Sequence, residues 1–229
     1  FRSDERELGH VVKSTNEIQF SMESKIKPYL RGHFHQAAFF IAVGACSLLI
    51  FNSHHSFFVT VIYSISLISL LGISALYHRI NWGPSSRMIM RRLDHAAIYF
   101  LIAGTLTPIC TLVLSESSGS KLLLTTWIAA GLGMLLSIVF TKKPKWLNAL
   151  LCAGAAIVVV PYLSEVASSL GQFNLTLLIS GIVAYVLGAL AYSLKVPNLF
   201  PRIFGYHEVF HILVLVGAGL HFMVIHSLV

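Results

Sequence analysis

The sequence predicts an all-α membrane protein, a seven-transmembrane helix bundle with its N-terminus in the cytosol and its C-terminus outside. Three observations predict it. Only 11% of the residues are charged while 56% are hydrophobic, whereas a soluble domain carries about 25% charged residues. Seven apolar runs follow a polar N-terminal stretch, each near the ~20 residues that cross a bilayer core. Finally, Lys and Arg concentrate in alternate loops, as the positive-inside rule requires.

In chain order, residues 1–32 read as a cytosolic arm, mixed in charge, whose last part is either a short amphipathic helix along the membrane surface or a frayed terminus. The apolar runs are 34–52, 56–78, 94–114, 121–140, 146–164, 174–193 and 206–228. Polar turns separate them: Asn52-Ser-His-His55, Asn81-Trp-Gly-Pro84-Ser-Ser86, Ser115-Glu-Ser-Ser-Gly119, Thr141-Lys-Lys-Pro144, Leu170-Gly-Gln172 and Pro197-Asn-Leu-Phe-Pro201. Pro161 falls near the end of the fifth run, where it kinks or stops the helix. Residues 33–229 thus form one bundle rather than two domains.

The arm holds six Lys and Arg, the loop from Arg79 to Arg92 four, Lys142 to Lys145 three, and Lys195 with Arg202 two. With seven spans these fifteen share one side and Lys121 stands alone on the other. The net charge of +7 is therefore a matter of topology, and nucleic acid is excluded as the partner it implies. Membrane lipids are the partners, and the location is the plasma (inner) membrane of a bacterial cell, crossed many times. Cys46, Cys110 and Cys152 all lie inside apolar runs without paired spacing, so they read as small buried residues.

Ionisable groups inside spans are costly and face the bundle interior, which makes them candidates for function. Ser74 and His78 stand at i and i+4 at the cytosolic end of the second span, on one helix face. Asp94 opens the third span. His207 and His211, again i and i+4, occupy the first two turns of the last. Topology places these five at one depth, just inside the inner leaflet.

Three neutral imidazoles with one open position make a catalytic type of zinc site, and Zn2+ is the expected cofactor. Zinc lowers the pKa of bound water to about 7. Asp94 would orient that water and accept its proton, and Ser74 would hold the same water or a substrate carbonyl. A thiolate site is excluded. His33, His35, His54, His55 and His226 read as interfacial or otherwise satisfied histidines. His221 reads as a hydrogen-bonded bundle residue about 15 Å along the axis from His211, and His95 points away from Asp94. Asp94 has bland alternatives: a helix cap, or a partner for Arg91 or Arg92. His207-Glu-Val-Phe-His211 also fits H-E-x-x-H, in which Glu208 would be the general base of a zinc protease. An intramembrane protease would be expected to add a later Asp in an Asp-Gly context; none follows. Glu208 instead faces the cytosol or pairs with a basic residue.

Ser74-Ala-Leu-Tyr-His78, the stretch from Leu93-Asp94-His through Gly104-Thr-Leu-Thr-Pro108, and His207-Glu-Val-Phe-His211 together resemble the hemolysin III family. That family is the bacterial-type branch of the progestin and adipoQ receptor superfamily, which includes the adiponectin receptors. The resemblance runs from about Lys27 to the end. It implies seven spans with the N-terminus inside, zinc on His78, His207 and His211, and Asp94 and Ser74 beside the metal's water. It also implies hydrolysis of a lipid amide, with ceramide the substrate of the receptor branch. The leading expectation is a zinc-dependent hydrolase of a lipid amide or ester. The rival is a sensor, lipid-binding protein or channel in which zinc is structural. A hormone-receptor role fits poorly with the short loops, and nothing in the sequence looks like a pore-former.

Overall fold

The computed structural model describes residues 28–140, 145–200 and 202–229. The arm 1–27 and the turn Thr141–Pro144 lie outside the described residues. The described chain is helical: α1 (His33–Asn52), α2 (Phe57–Arg79), α3 (Pro84–Leu112), α4 (Glu116–Val139), α5 (Lys145–Ala156), a 3₁₀ segment (Ile157–Tyr162), α6 (Leu163–Leu194) and α7 (Tyr206–His226). Among the described residues the sole β pairing is an isolated bridge between Phe200 and Phe204.

Among the described residues six helical stretches are long and apolar enough to cross a bilayer: α1, α2, α3, α4, the run Leu150–Leu194, and α7. Their surfaces are inverted relative to a soluble protein. Phe40, Leu48, Phe51, Phe58, Leu124, Leu132, Phe173 and Leu187 point outward, while Thr60, Ser64, Ser66, Thr107, Thr126 and Ser137 are buried between helices. A continuous apolar exterior of this size is stable in hydrocarbon rather than in water. Inside, three of these hydroxyls donate to carbonyls of the turn before them: Thr60 Oγ1 to Ser56 O at 2.9 Å, Thr107 Oγ1 to Ala103 O at 2.7 Å and Ser66 Oγ to Tyr63 O at 2.7 Å. With no water in a bilayer core, polar groups need such internal partners.

Helices adjacent in sequence pack on one another, and α7 closes the bundle against α1, α3 and α6. One core joins Cys46 and Leu49 of α1, Tyr63, Leu67 and Leu71 of α2, Leu101 of α3, and Val214 and Ile225 of α7. The placement that matters for function follows: α1, α2, α3 and α7 surround one shared interior.

Two sequence expectations are corrected. Apolarity marks the third span from residue 94, but α3 begins at Pro84. Gly83 caps the helix and Pro84 sits at its first turn, where a missing N–H costs nothing. The basic stretch Arg87–Arg92 is helix that projects beyond the apolar part, because hydropathy reports where lipid begins rather than where hydrogen bonding begins. Asp94 therefore lies well inside a helix and does not cap it. The second concerns the sixth run, expected from residue 174: the fifth helix does stop early near Pro161, as expected, but the next helix already starts at Leu163. Pro161 lies in the 3₁₀ segment that ends α5, and α6 then continues to Leu194 with one non-helical residue, Gly171 (φ 71°, ψ 159°). That conformation is open to glycine and strained for other residues.

Close packing gives a test. A Cβ at Gly133 of α4 would meet the Tyr99 ring at 2.2 Å, whereas one at Gly131 would meet nothing within 4 Å. Gly133→Ala is expected to cost about 1–3 kcal/mol of stability through overpacking, read as a lower thermal midpoint in detergent. Gly131→Ala should leave that midpoint unchanged or raise it.

Candidate metal centre

The three histidines expected to share a metal do converge. His78 near the end of α2 and His207 and His211 in the first two turns of α7 each offer a ring nitrogen, and these atoms lie within 4.8 Å of one another. The closest pair is Nε2 of His78 and Nε2 of His207, at 3.3 Å. The rings stand edge to face, with centroids 4.7–5.0 Å apart. His78 and His211 are buried and His207 half-buried. The donor set fits zinc: two nitrogens about 2.05 Å from a tetrahedral centre stand about 3.3 Å apart.

Local sequence explains why α7 begins where it does. Lys195 ends α6 in the left-handed region (φ 59°), and Asn198 bridges the turn, accepting from the Tyr206 amide at 3.2 Å. Gly205 is the N-cap, and its amide donates to Glu208 Oε2 at 2.8 Å. His207 and His211 then stack on one face by helical periodicity.

Ser74 and Asp94 are brought together. Ser74 is buried one turn from His78, and its hydroxyl donates to the half-buried Asp94 carboxylate. The Asp94 side chain thus partners Ser74, and the expected alternative of a helix cap does not hold. His95 stays outside the cluster, as expected. His221 accepts its assigned role, its Nε2 hydrogen-bonded with Leu178 O at 3.1 Å. His54, His55 and His226 are exposed.

Glu208 shows which face of the H-E-x-x-H segment is which. It is fully buried, so it does not face the cytosol. Its Oε1 pairs with the Arg31 guanidinium and its Oε2 with the Gly205 amide. With both oxygens engaged in holding the start of α7, Glu208 is not placed as a base toward a substrate.

The expectation that His35 is interfacial is overturned. His35 is 2% exposed and its ring lies flat on that of His211, with centroids 3.9 Å apart and planes 7° from parallel. Tyr192 of α6, which sequence reasoning also passed over, sits beside His207 with ring centroids 5.3 Å apart. A signal existed for His35: the depth argument that picks His78 and His207 applies equally to a histidine at the same end of the first span.

Fold and site together define a multi-pass helical membrane protein with a three-histidine cluster between its second and last helices. The chain belongs to the family described as Haemolysin-III related, whose profile matches residues 23–222. Hemolysin-3 of Bacillus cereus is 30% identical over 164 residues, covering 70% of this chain and 70% of that protein. A Hemolysin-3 homolog of Bacillus subtilis (strain 168) is 29% identical over 161 residues, covering 70% of this chain and 72% of the relative.

The cluster predicts one zinc per chain in detergent-purified protein by elemental mass spectrometry. His78→Ala, His207→Ala and His211→Ala should each lose it, while His95→Ala and His226→Ala keep it. Zinc retained in His78→Ala would break the three-helix-turn arrangement.

Proposed function

We propose that this protein is a zinc-dependent hydrolase of a lipid amide or ester, working at headgroup depth near the inner leaflet. The observation that carries the reading is the convergence of three imidazole donors, and it is supported by the Asp94 partner Ser74, which stands one helical turn before His78. Zinc held by His78, His207 and His211 would supply Lewis acidity toward a carbonyl and toward water.

The chain's own residues supply the rest. Asp94 accepts a proton at its carboxylate and passes it to the leaving group, the usual duty of a positioned general base and acid. Ser74 donates to that carboxylate and fixes its orientation. The apolar exterior and the half-buried rim at Asp94 and His207 favour a substrate that arrives sideways from the leaflet, its acyl chain remaining in hydrocarbon. Glu208 is left out of the chemistry, which argues against a protease.

The same proposal includes seven spans, with the N-terminus inside and the C-terminus outside. Leu150–Leu194 is 45 residues long, about 67 Å as a continuous helix at 1.5 Å per residue, against a hydrocarbon core of about 30 Å. Gly171 divides it into two parts, each long enough for one crossing. Seven crossings put fifteen Lys and Arg on one side and one on the other.

Two measurements test these statements. Asp94→Asn should keep its zinc yet lower turnover of a long-chain lipid amide or ester by about 10²–10⁴-fold. Zinc-loaded parent that hydrolyses none of a panel of such lipids would assign the metal a structural role instead. For topology, His55→Cys and Ser86→Cys can be made in a background lacking Cys46, Cys110 and Cys152. An impermeant maleimide should label His55→Cys on intact cells and Ser86→Cys only after permeabilisation; the reverse pattern would invert the bundle.

A further inference from the structure

The segment that leads into α1 touches the turn bearing each of the three histidines, although it supplies none of them. Gly32 (φ +84°) lies so close to α2 that a Cβ there would meet the His78 Cβ at 2.6 Å. Arg31 pairs with Glu208, which stands between His207 and His211 in α7. The amides of Tyr29 and Leu30 donate to the carbonyls of Arg202 and Ile203 at 3.0 and 3.2 Å, fastening the segment beside the start of α7. His35, in the first turn of α1, covers the face of His211. His35 itself does not join the convergent group, because its ring lies parallel to that of His211 rather than aimed at the common point.

We propose that Tyr29–His35 is a strap that positions the three-histidine site, with His35 setting the ring plane of His211 as its principal contact. The inference rests on the metal reading above. Its physical basis is that a ligating imidazole needs a second group to fix its orientation, and loss of such a group lowers metal affinity about 10–100-fold. Here the second group is a flat ring rather than a hydrogen-bond acceptor. An aromatic face should therefore replace His35, and an aliphatic side chain of similar bulk should not.

The experiment titrates Zn2+ and Co2+ into metal-stripped parent, His35→Phe, His35→Leu and Gly133→Ala proteins in detergent. Affinity and the Co2+ d–d absorption bands are recorded. His35→Phe should stay within about threefold of the parent with unchanged bands, while His35→Leu should lose about tenfold or more and shift its bands. Gly133→Ala should lower thermal stability without moving the spectrum, separating positioning from mere destabilisation. Equal affinity and equal bands for the Phe and Leu variants, in a parent that does load metal, would overturn the strap while leaving the metal site standing. A parent that binds neither ion would overturn the metal reading and the strap with it.

Discussion

Everything at this site depends on the convergence of α2 and α7 at the end of a bundle that is apolar outside. Three imidazoles and a carboxylate inside such a bundle have little water to bind, and a polar group buried without a partner costs several kcal/mol. The chain meets that constraint by grouping them. His78, His207 and His211 present nitrogens to one point, Asp94 receives the Ser74 hydroxyl, and the bundle closes around them through α1 and α3.

The same constraint gives Glu208 its role. A carboxylate buried without a cation is strongly destabilising, and breaking a buried ion pair costs about 3–5 kcal/mol. Glu208 meets Arg31 across 177 residues of sequence and also accepts from the first amide of its own helix. One side chain thereby caps α7, neutralises its own charge and ties the start of α1 to the helix that carries two of the three histidines. That is why a segment matching a protease motif is architectural on its Glu face, while its His face joins the three-imidazole cluster.

Much of this was legible in the sequence. Apolar runs marked the helices that enter lipid, and i, i+4 spacing put Ser74 with His78 and His207 with His211 on single faces. Both signals are local, so they survive without knowledge of tertiary packing. The start of α3 was not legible, because Arg87–Arg92 is helical but too basic for lipid. The break at Gly171 within Leu163–Leu194 was legible, because Leu170-Gly-Gln172 reads as a polar turn between two apolar runs. His35 and Arg31 were missed for a different reason. Their partners, His211 and Glu208, are distant in sequence, so the depth signal that His35 shares with His78 and His207 does not name the ring it stacks on.

The central claim is that His78, His207 and His211 hold one metal ion. Zinc K-edge X-ray absorption on the purified protein tests it most directly. The account predicts a first shell of three imidazole nitrogens at about 2.0–2.1 Å plus one oxygen donor, falling to two imidazoles or to no bound zinc in His211→Ala. A shell without imidazole, or one unchanged when His211 is replaced, would contradict it.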